Sequence, residues 1–209
     1  MLRTTERKGW EDYFQYGKRT FYRKKSIIYS VDSSERTGFY YLERGFVKVS
    51  TKTFSGEERT IDIVSAGRTF GEQTADERPY FSTAVALEDC VVYFFRYDVI
   101  KRLMDDDHQL RILIYSGLTE KLKLLANNVM IQSLPPERQL AQSLLHILRK
   151  YNDHQIPMTQ KELSSFTGLK RGTIYKIFKK WGDEVIIVEK KKIIVKMPQK
   201  LKEIAATPS

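Results

Sequence analysis

Thr159-Gln160-Lys161-Glu162-Leu163-Ser164-Ser165-Phe166-Thr167-Gly168-Leu169-Lys170-Arg171-Gly172-Thr173-Ile174-Tyr175-Lys176-Ile177-Phe178-Lys179-Lys180-Trp181 is the stretch that decides the architecture. Thr159 to Glu162 form a capping-box pattern, in which the threonine caps the Glu162 amide and the carboxylate reaches back. A short helix starts there, with Leu163 toward the core. Ser164 is small and lets a second helix cross closely. Gly168 falls where the chain must turn, and glycine takes a left-handed conformation at no steric cost. Leu169, Ile174 and Ile177 supply the packing face of the second helix. A small residue, a glycine four later, and apolar residues six and nine after that glycine is the spacing of a helix-turn-helix.

The second helix, Arg171 to Trp181, is basic. Lys170, Arg171, Thr173 and Lys176 fall on its N-terminal half, the half that enters a major groove in such motifs. Arginine and lysine donate to the O6 and N7 edge of guanine, and Thr173 suits a phosphate. Lys179 and Lys180 point toward backbone phosphates or solvent, and Thr159 joins the DNA-binding candidates. Beyond the helix, Val185–Val188 and Ile193–Lys196 flank Glu189-Lys190-Lys191-Lys192. This predicts a β-hairpin with a cationic tip, a wing placing Lys190 and Lys191 against phosphate. The formal net charge is +10. Residues 1–137 carry 21 Lys+Arg and 20 Asp+Glu, a net of +1, and residues 138–209 carry 15 and 6, a net of +9. A compact basic module is what counterion release from double-stranded DNA requires; a solvated lysine-rich surface is the alternative reading of the charge alone.

Working toward the N-terminus, Pro135-Pro136 break one helix and start another. Ser133 is the expected cap of the next helix, Glu137–Tyr151, whose apolar face reads Leu140, Leu144, Leu145 and Leu148. Asn152-Asp153-His154-Gln155 reads as a turn. From Asp107 to about Gln132 the period is helical, and Tyr115, Leu118, Leu122, Leu125 and Val129 recur at steps of three and four. That narrow seam favours a parallel homodimer contact over an intrachain one. Asp105-Asp106-Asp107 reads as a charge run at the positive end of this helix. Residues about 20–98 read as β: Ser26–Val31, Gly38–Leu42, Phe46–Thr53, Arg59–Val64, Ser82–Ala86 and Cys90–Phe95, separated by turn signals, suggest a sandwich or barrel.

Several function classes drop out. The chain has 209 residues, 41% hydrophobic and 30% charged, ordinary for a soluble domain or two. No apolar run spans a bilayer, and Met1–Lys8 lacks the apolar core of a secretory signal, so a cytoplasmic location is expected. One cysteine, Cys90, excludes an internal disulfide and a cluster held by this chain's own thiolates. Its apolar strand fits a buried structural thiol better than a redox sensor. His108, His146 and His154 show no metal-ligand spacing, so no metal and no cofactor is expected. There is no phosphate-cradling glycine loop and no nucleophile-base arrangement, so no catalytic residue is assigned and no enzyme is expected.

Taken together, the chain resembles the Crp/Fnr family of bacterial transcription factors. The match runs through Thr159 to Val195, through Leu42-Glu43-Arg44-Gly45-Phe46-Val47-Lys48-Val49, and through Ala66-Gly67-Arg68-Thr69-Phe70-Gly71-Glu72, which is similar to the entrance of the family's cyclic-nucleotide cassette. The resemblance implies an α+β chain: a cyclic-nucleotide-binding-like β-roll (1–106), a dimerisation helix (107–134) and a winged helix-turn-helix (135–209). It also implies a palindromic operator bound as a homodimer, with RNA polymerase as a further partner. The departures bear on control. Where nucleotide-binding members carry an Arg-Ser or Arg-Thr pair, this chain has Phe81-Ser82, and Leu124-Leu125 stand where a Thr-Ser pair faces the base. With Gly71 and Glu72 these residues form the expected effector pocket, and both departures argue against cyclic AMP, since phenylalanine cannot pair a phosphate. The alternative is a sensing module whose DNA binding depends on a cyclic nucleotide or another effector. Gly172 replaces a base-reading glutamate, so the operator should depart from the usual half-site.

Overall fold

The computed structural model describes residues 9–206 except 32, 34–36, 77, 152 and 191. The chain divides into two compact units. One comprises residues up to Thr51 together with Asp62–Lys123; the other comprises Lys52–Ile61 and everything from Leu124 onward.

The first unit is built on two four-stranded sheets. In one, β1 (Lys18–Tyr22), β8 (Cys90–Arg96), β3 (Gly38–Arg44) and β6 (Arg68–Phe70) lie in that order; in the other, β2 (Ile27–Tyr29), β7 (Thr83–Ala86), β4 (Phe46–Lys52) and β5 (Glu58–Ser65). β3 shows why the alternation of buried and exposed residues is lost: Phe39 to Leu42 are all buried. Successive side chains leave a strand on opposite faces, and both faces of β3 are covered. Tyr40 meets the rings of Tyr29, Phe70 and Phe94 on one face, while Phe39 and Tyr41 meet Trp10 on the other. Trp10 belongs to a 3-10 turn, Trp10–Tyr16, that the β-pattern reading did not anticipate, as it did not anticipate β1.

Strand β8 runs directly into α1 (Tyr97–Asp106), followed by α2 (His108–Gln132). Asp105 and Asp106 therefore sit at the negative end of α1, not ahead of the long helix; only Asp107 serves α2. Its Oδ1 accepts from the amides of Gln109 (2.9 Å) and Leu110 (3.2 Å), and its Oδ2 accepts from Tyr13 Oη (2.9 Å). Burial and the neighbouring Asp107 carboxylate push the Tyr13 phenol up.

The second unit holds α3 (Pro136–Tyr151), β9 (Gln155–Ile156), α4 (Gln160–Thr167), α5 (Arg171–Trp181), β10 (Ile186–Val188), β11 (Ile193–Val195) and α6 (Pro198–Ala206), with strands ordered β10-β11-β9. The turn expected at 152–155 thus ends in a strand, and α6 was not foreseen. Ser133 does not cap α3: its hydroxyl donates back to Met130 O (2.7 Å) at the end of α2. The face of α3 also shifts. Leu140, Leu144 and Ile147 are fully buried, while Leu145 and Leu148 are only half-buried. Leu163, Ile174, Ile193, Val195 and Leu201 complete this core, each contributing about 1.5–3 kcal/mol by burial. No helix among the described residues is long and apolar enough to cross a membrane.

Candidate nucleic-acid interface and effector cassette

The helix-turn-helix is fixed from inside by hydrogen bonds. Thr159 Oγ1 accepts from the Glu162 amide (3.2 Å), and the Glu162 carboxylate accepts from Thr159 N (2.7 Å) and Oγ1 (2.9 Å). The Thr159 hydroxyl therefore gives its proton to the capping box. Gly168 has φ 78° and donates to Ser164 O (2.8 Å), a left-handed cap that favours glycine. Ser164 Oγ donates to Leu169 O (2.7 Å), so the small residue also ties the turn. From α3, the buried Gln139 Nε2 donates to Thr167 O (2.8 Å).

This framework sets the rotation of α5. Ile174, Ile177, Phe178 and Trp181 are buried. Arg171, Gly172, Tyr175, Lys176 and Lys179 are exposed, Thr173 is half-buried, and Lys170 stands exposed at the N-cap. The exposed positions recur at steps of one, three, one and three, forming one stripe along the helix. Tyr175 is 58% exposed in that stripe, one turn after Arg171. The sequence reading missed it because an aromatic residue at helical spacing reads as core; its offset of four from Arg171 was the available signal. A Cβ at Gly172 would meet nothing within 4 Å, so the glycine is not required by packing.

Lys180 leaves the stripe. Its ammonium pairs with Glu137 Oε2 (2.7 Å), and Trp181 Nε1 donates to Glu137 Oε1 (2.9 Å). The Lys180 ammonium and then the Trp181 indole hold the Glu137 carboxyl below its usual range. In the wing, β10 and β11 pair antiparallel, and the Glu189 amide donates to Lys192 O (2.9 Å). Lys192 turns inward to Gln155 Oε1 (3.1 Å), whereas Lys190 is exposed. Lys191 lies outside the described residues.

In the cassette, Gly71 has φ 81°, and a Cβ there would come within 3.0 Å of Tyr29 and 3.2 Å of Tyr40. The rings of Tyr29 and Tyr80 stack at 4.0 Å beside Tyr40 and Phe70. Burial raises both phenols, Tyr80 to about 12. Ser82 is fully buried and takes a hydrogen bond from Gln73 Nε2 (2.5 Å). Phe81 does not line this interior: its side chain is 61% exposed, while its amide donates to Gln73 Oε1 (3.1 Å) and its carbonyl accepts from Thr51 Oγ1 (2.9 Å). Alternation along the chain sends one of the Phe81-Ser82 pair inward, and it is the serine. Arg78, the nearby arginine, is exposed and pairs with Asp76 (3.4 Å). Glu72 pairs with Lys121 of α2 (2.5 Å). Leu124 and Leu125, on α2 in the second unit, are half-buried and exposed respectively. Cys90 is fully buried with its Sγ toward Phe46 O (3.3 Å), and burial pushes the thiol up. Among the described residues no three His, Cys, Asp or Glu side chains cluster as a metal site.

A β-roll followed by a long helix and a winged helix-turn-helix defines a class of DNA-binding regulator. The cyclic nucleotide-binding domain model matches residues 19–107, and the Crp-like helix-turn-helix domain model matches residues 138–204. The chain is 28% identical over 183 residues to the cyclic AMP receptor protein of Thermus thermophilus, covering 84% of this chain and 80% of that one. It is 24% identical over 196 residues to the global nitrogen regulator of a Nostoc species, covering 86% and 85%. Among solved structures, a CRP-family transcriptional regulator of Thermus thermophilus superposes with a TM-score of 0.77 at 20% identity, covering 90% of this chain and 97% of that one. The chain belongs to the Crp/Fnr family and is a DNA-binding transcription regulator of that type.

Proposed function

We propose that this regulator binds a palindromic operator as a homodimer and does so without cyclic AMP. The observation that carries the DNA reading is the exposed stripe Arg171, Tyr175, Lys176 and Lys179 on a helix whose other face is locked into a core. Arg171 and Lys176 read base edges, with Tyr175 between them. Lys170, Thr173, Lys179 and Lys190 meet phosphates, while Thr159 acts mainly through its capping box. The span 107–134 serves dimerisation between a sensory part (1–106) and a DNA-binding part (135–209), and RNA polymerase is the further partner. A reducing cytoplasm suits the single buried thiol, and nothing in the site suggests an enzyme.

Independence from cyclic AMP is supported by the cassette. Phe81 projects outward, Arg78 is engaged with Asp76, and aromatic rings pack around Gly71. None of Gly71, Glu72 and Ser82 brings a cation to neutralise a cyclic phosphate, and a buried unpaired charge is costly.

Selection of operator DNA from random sequence by effector-free protein tests this reading. Two half-sites related by a two-fold axis, about one helical turn apart, are expected. Recovery of no symmetric site would overturn it, and tight calorimetric binding of cyclic AMP would overturn the effector part.

A further inference from the structure

The long helix approaches the cassette along one face. Gly117, Glu120 and Lys121 stand at helical offsets of three and four, so they share that face. A Cβ at Gly117 would lie 3.1 Å from Thr69 Oγ1, which marks a close approach of helix to β6. Glu120 pairs with Arg68. Lys121 Nζ donates to Glu72 Oε1 (2.5 Å), Thr69 O (2.9 Å) and Thr69 Oγ1 (3.2 Å). An ammonium has three N–H groups, and three acceptors take them. The Glu72 side chain is 17% exposed and that of Lys121 32%, so the pair is partly withdrawn from solvent, where charge-assisted bonds are stronger than at an open surface.

We propose that Lys121 is a positioning residue that takes the place of an effector: its ammonium occupies the acidic corner of the cassette, clamps α2 to the β-roll and fixes the rotation of that helix. At 100° per residue the clamped face lies about a third of a turn from Leu118 and Leu122. Engaging Glu72 therefore determines which apolar residues α2 presents outward. The chain supplies from its own sequence the contact that a small molecule would otherwise make to this carboxylate, and a ligand using Glu72 must first displace Lys121. This rests on the reading of the protein as an effector-free operator binder.

The test compares wild-type, Lys121→Met, Lys121→Arg and the swapped pair Lys121→Glu with Glu72→Lys, all as full chains with folding checked by circular dichroism. Two readouts are taken without effector: affinity for the selected operator, and hydrogen exchange of the α2 amides at 117–125, which needs no DNA. Lys121→Met is expected to lose at least ten-fold in operator affinity and to exchange at least ten-fold faster at those amides. Lys121→Arg is expected to keep most of both, and the swapped pair, which restores the charge pair without the bonds to Thr69, only part. Unchanged exchange in Lys121→Met, or a loss in Lys121→Arg as large as that in Lys121→Met, overturns the clamp. A wild-type protein that selects no operator overturns the DNA reading instead, while the exchange measurement still decides the clamp.

Discussion

Arg171 and Tyr175 are separated by one helical turn and share the outward face of α5. A guanidinium donates two bonds to a guanine edge, and an aromatic ring offers an apolar surface to a thymine methyl. Replacing Arg171 or Tyr175 by alanine should each cost ~1–3 kcal/mol on the selected operator while changing affinity for scrambled DNA by much less. Competition gel shifts on the two DNAs measure this; an equal loss on both would assign the side chains to phosphate. The roles of Thr159, Glu162 and Gly168 were legible because each partner lies within a few residues. Lys180 was not, because the carboxylate that holds it sits 43 residues earlier in the chain. Phe81 was misplaced for a related reason. Its direction is set by bonds of its backbone to Gln73 and Thr51, and no periodicity reports those.

Helices α3 and α5 are joined at their ends by Glu137. Its depressed carboxyl fixes the sign of a pH effect: the stabilisation is fully present above the ordinary value near 4.5 of the unfolded chain, and it is lost as pH falls through the folded value. Glu137→Gln keeps an oxygen for the Trp181 indole but removes the charge, and should destabilise the protein by about 1 kcal/mol or less at neutral pH, since Lys180 is largely exposed. Thermal melts at pH 7 and pH 3 check it: the variant and wild-type should separate at the first and converge at the second. At this scale the strong periods were readable, namely α2, α4, α5 and most strands. The misses were the Trp10–Tyr16 turn, β1, β6, α1, β9 and α6. Each is short or runs directly out of a neighbouring element, and each is held by tertiary contact, as Trp10 is by Phe39 and Tyr41.

Across the whole molecule, Tyr115, Leu118, Leu122, Leu125 and Val129 are all between 41% and 70% exposed in the single chain. A row of large apolar side chains with this spacing is the seam of a two-helix contact, and a two-fold operator needs two recognition helices. Leu122→Glu should shift the protein to monomer in sedimentation and lower operator affinity at least ten-fold, with the secondary structure intact. A dimeric Leu122→Glu protein would move the interface elsewhere. The seam was legible as a pattern, but a sequence does not say which face of a helix its own chain already covers.

Gly172 has one more consequence. It stands in the outward stripe of α5, costs that helix about 1 kcal/mol relative to alanine, and has open space where a side chain would begin. The fold exerts no veto at this position. A single codon change could install a longer residue there, stiffen the helix and alter the set of promoters the protein visits, all in one step and without repair elsewhere. The address read by this regulator is thus not fixed at Gly172 by the architecture that carries it.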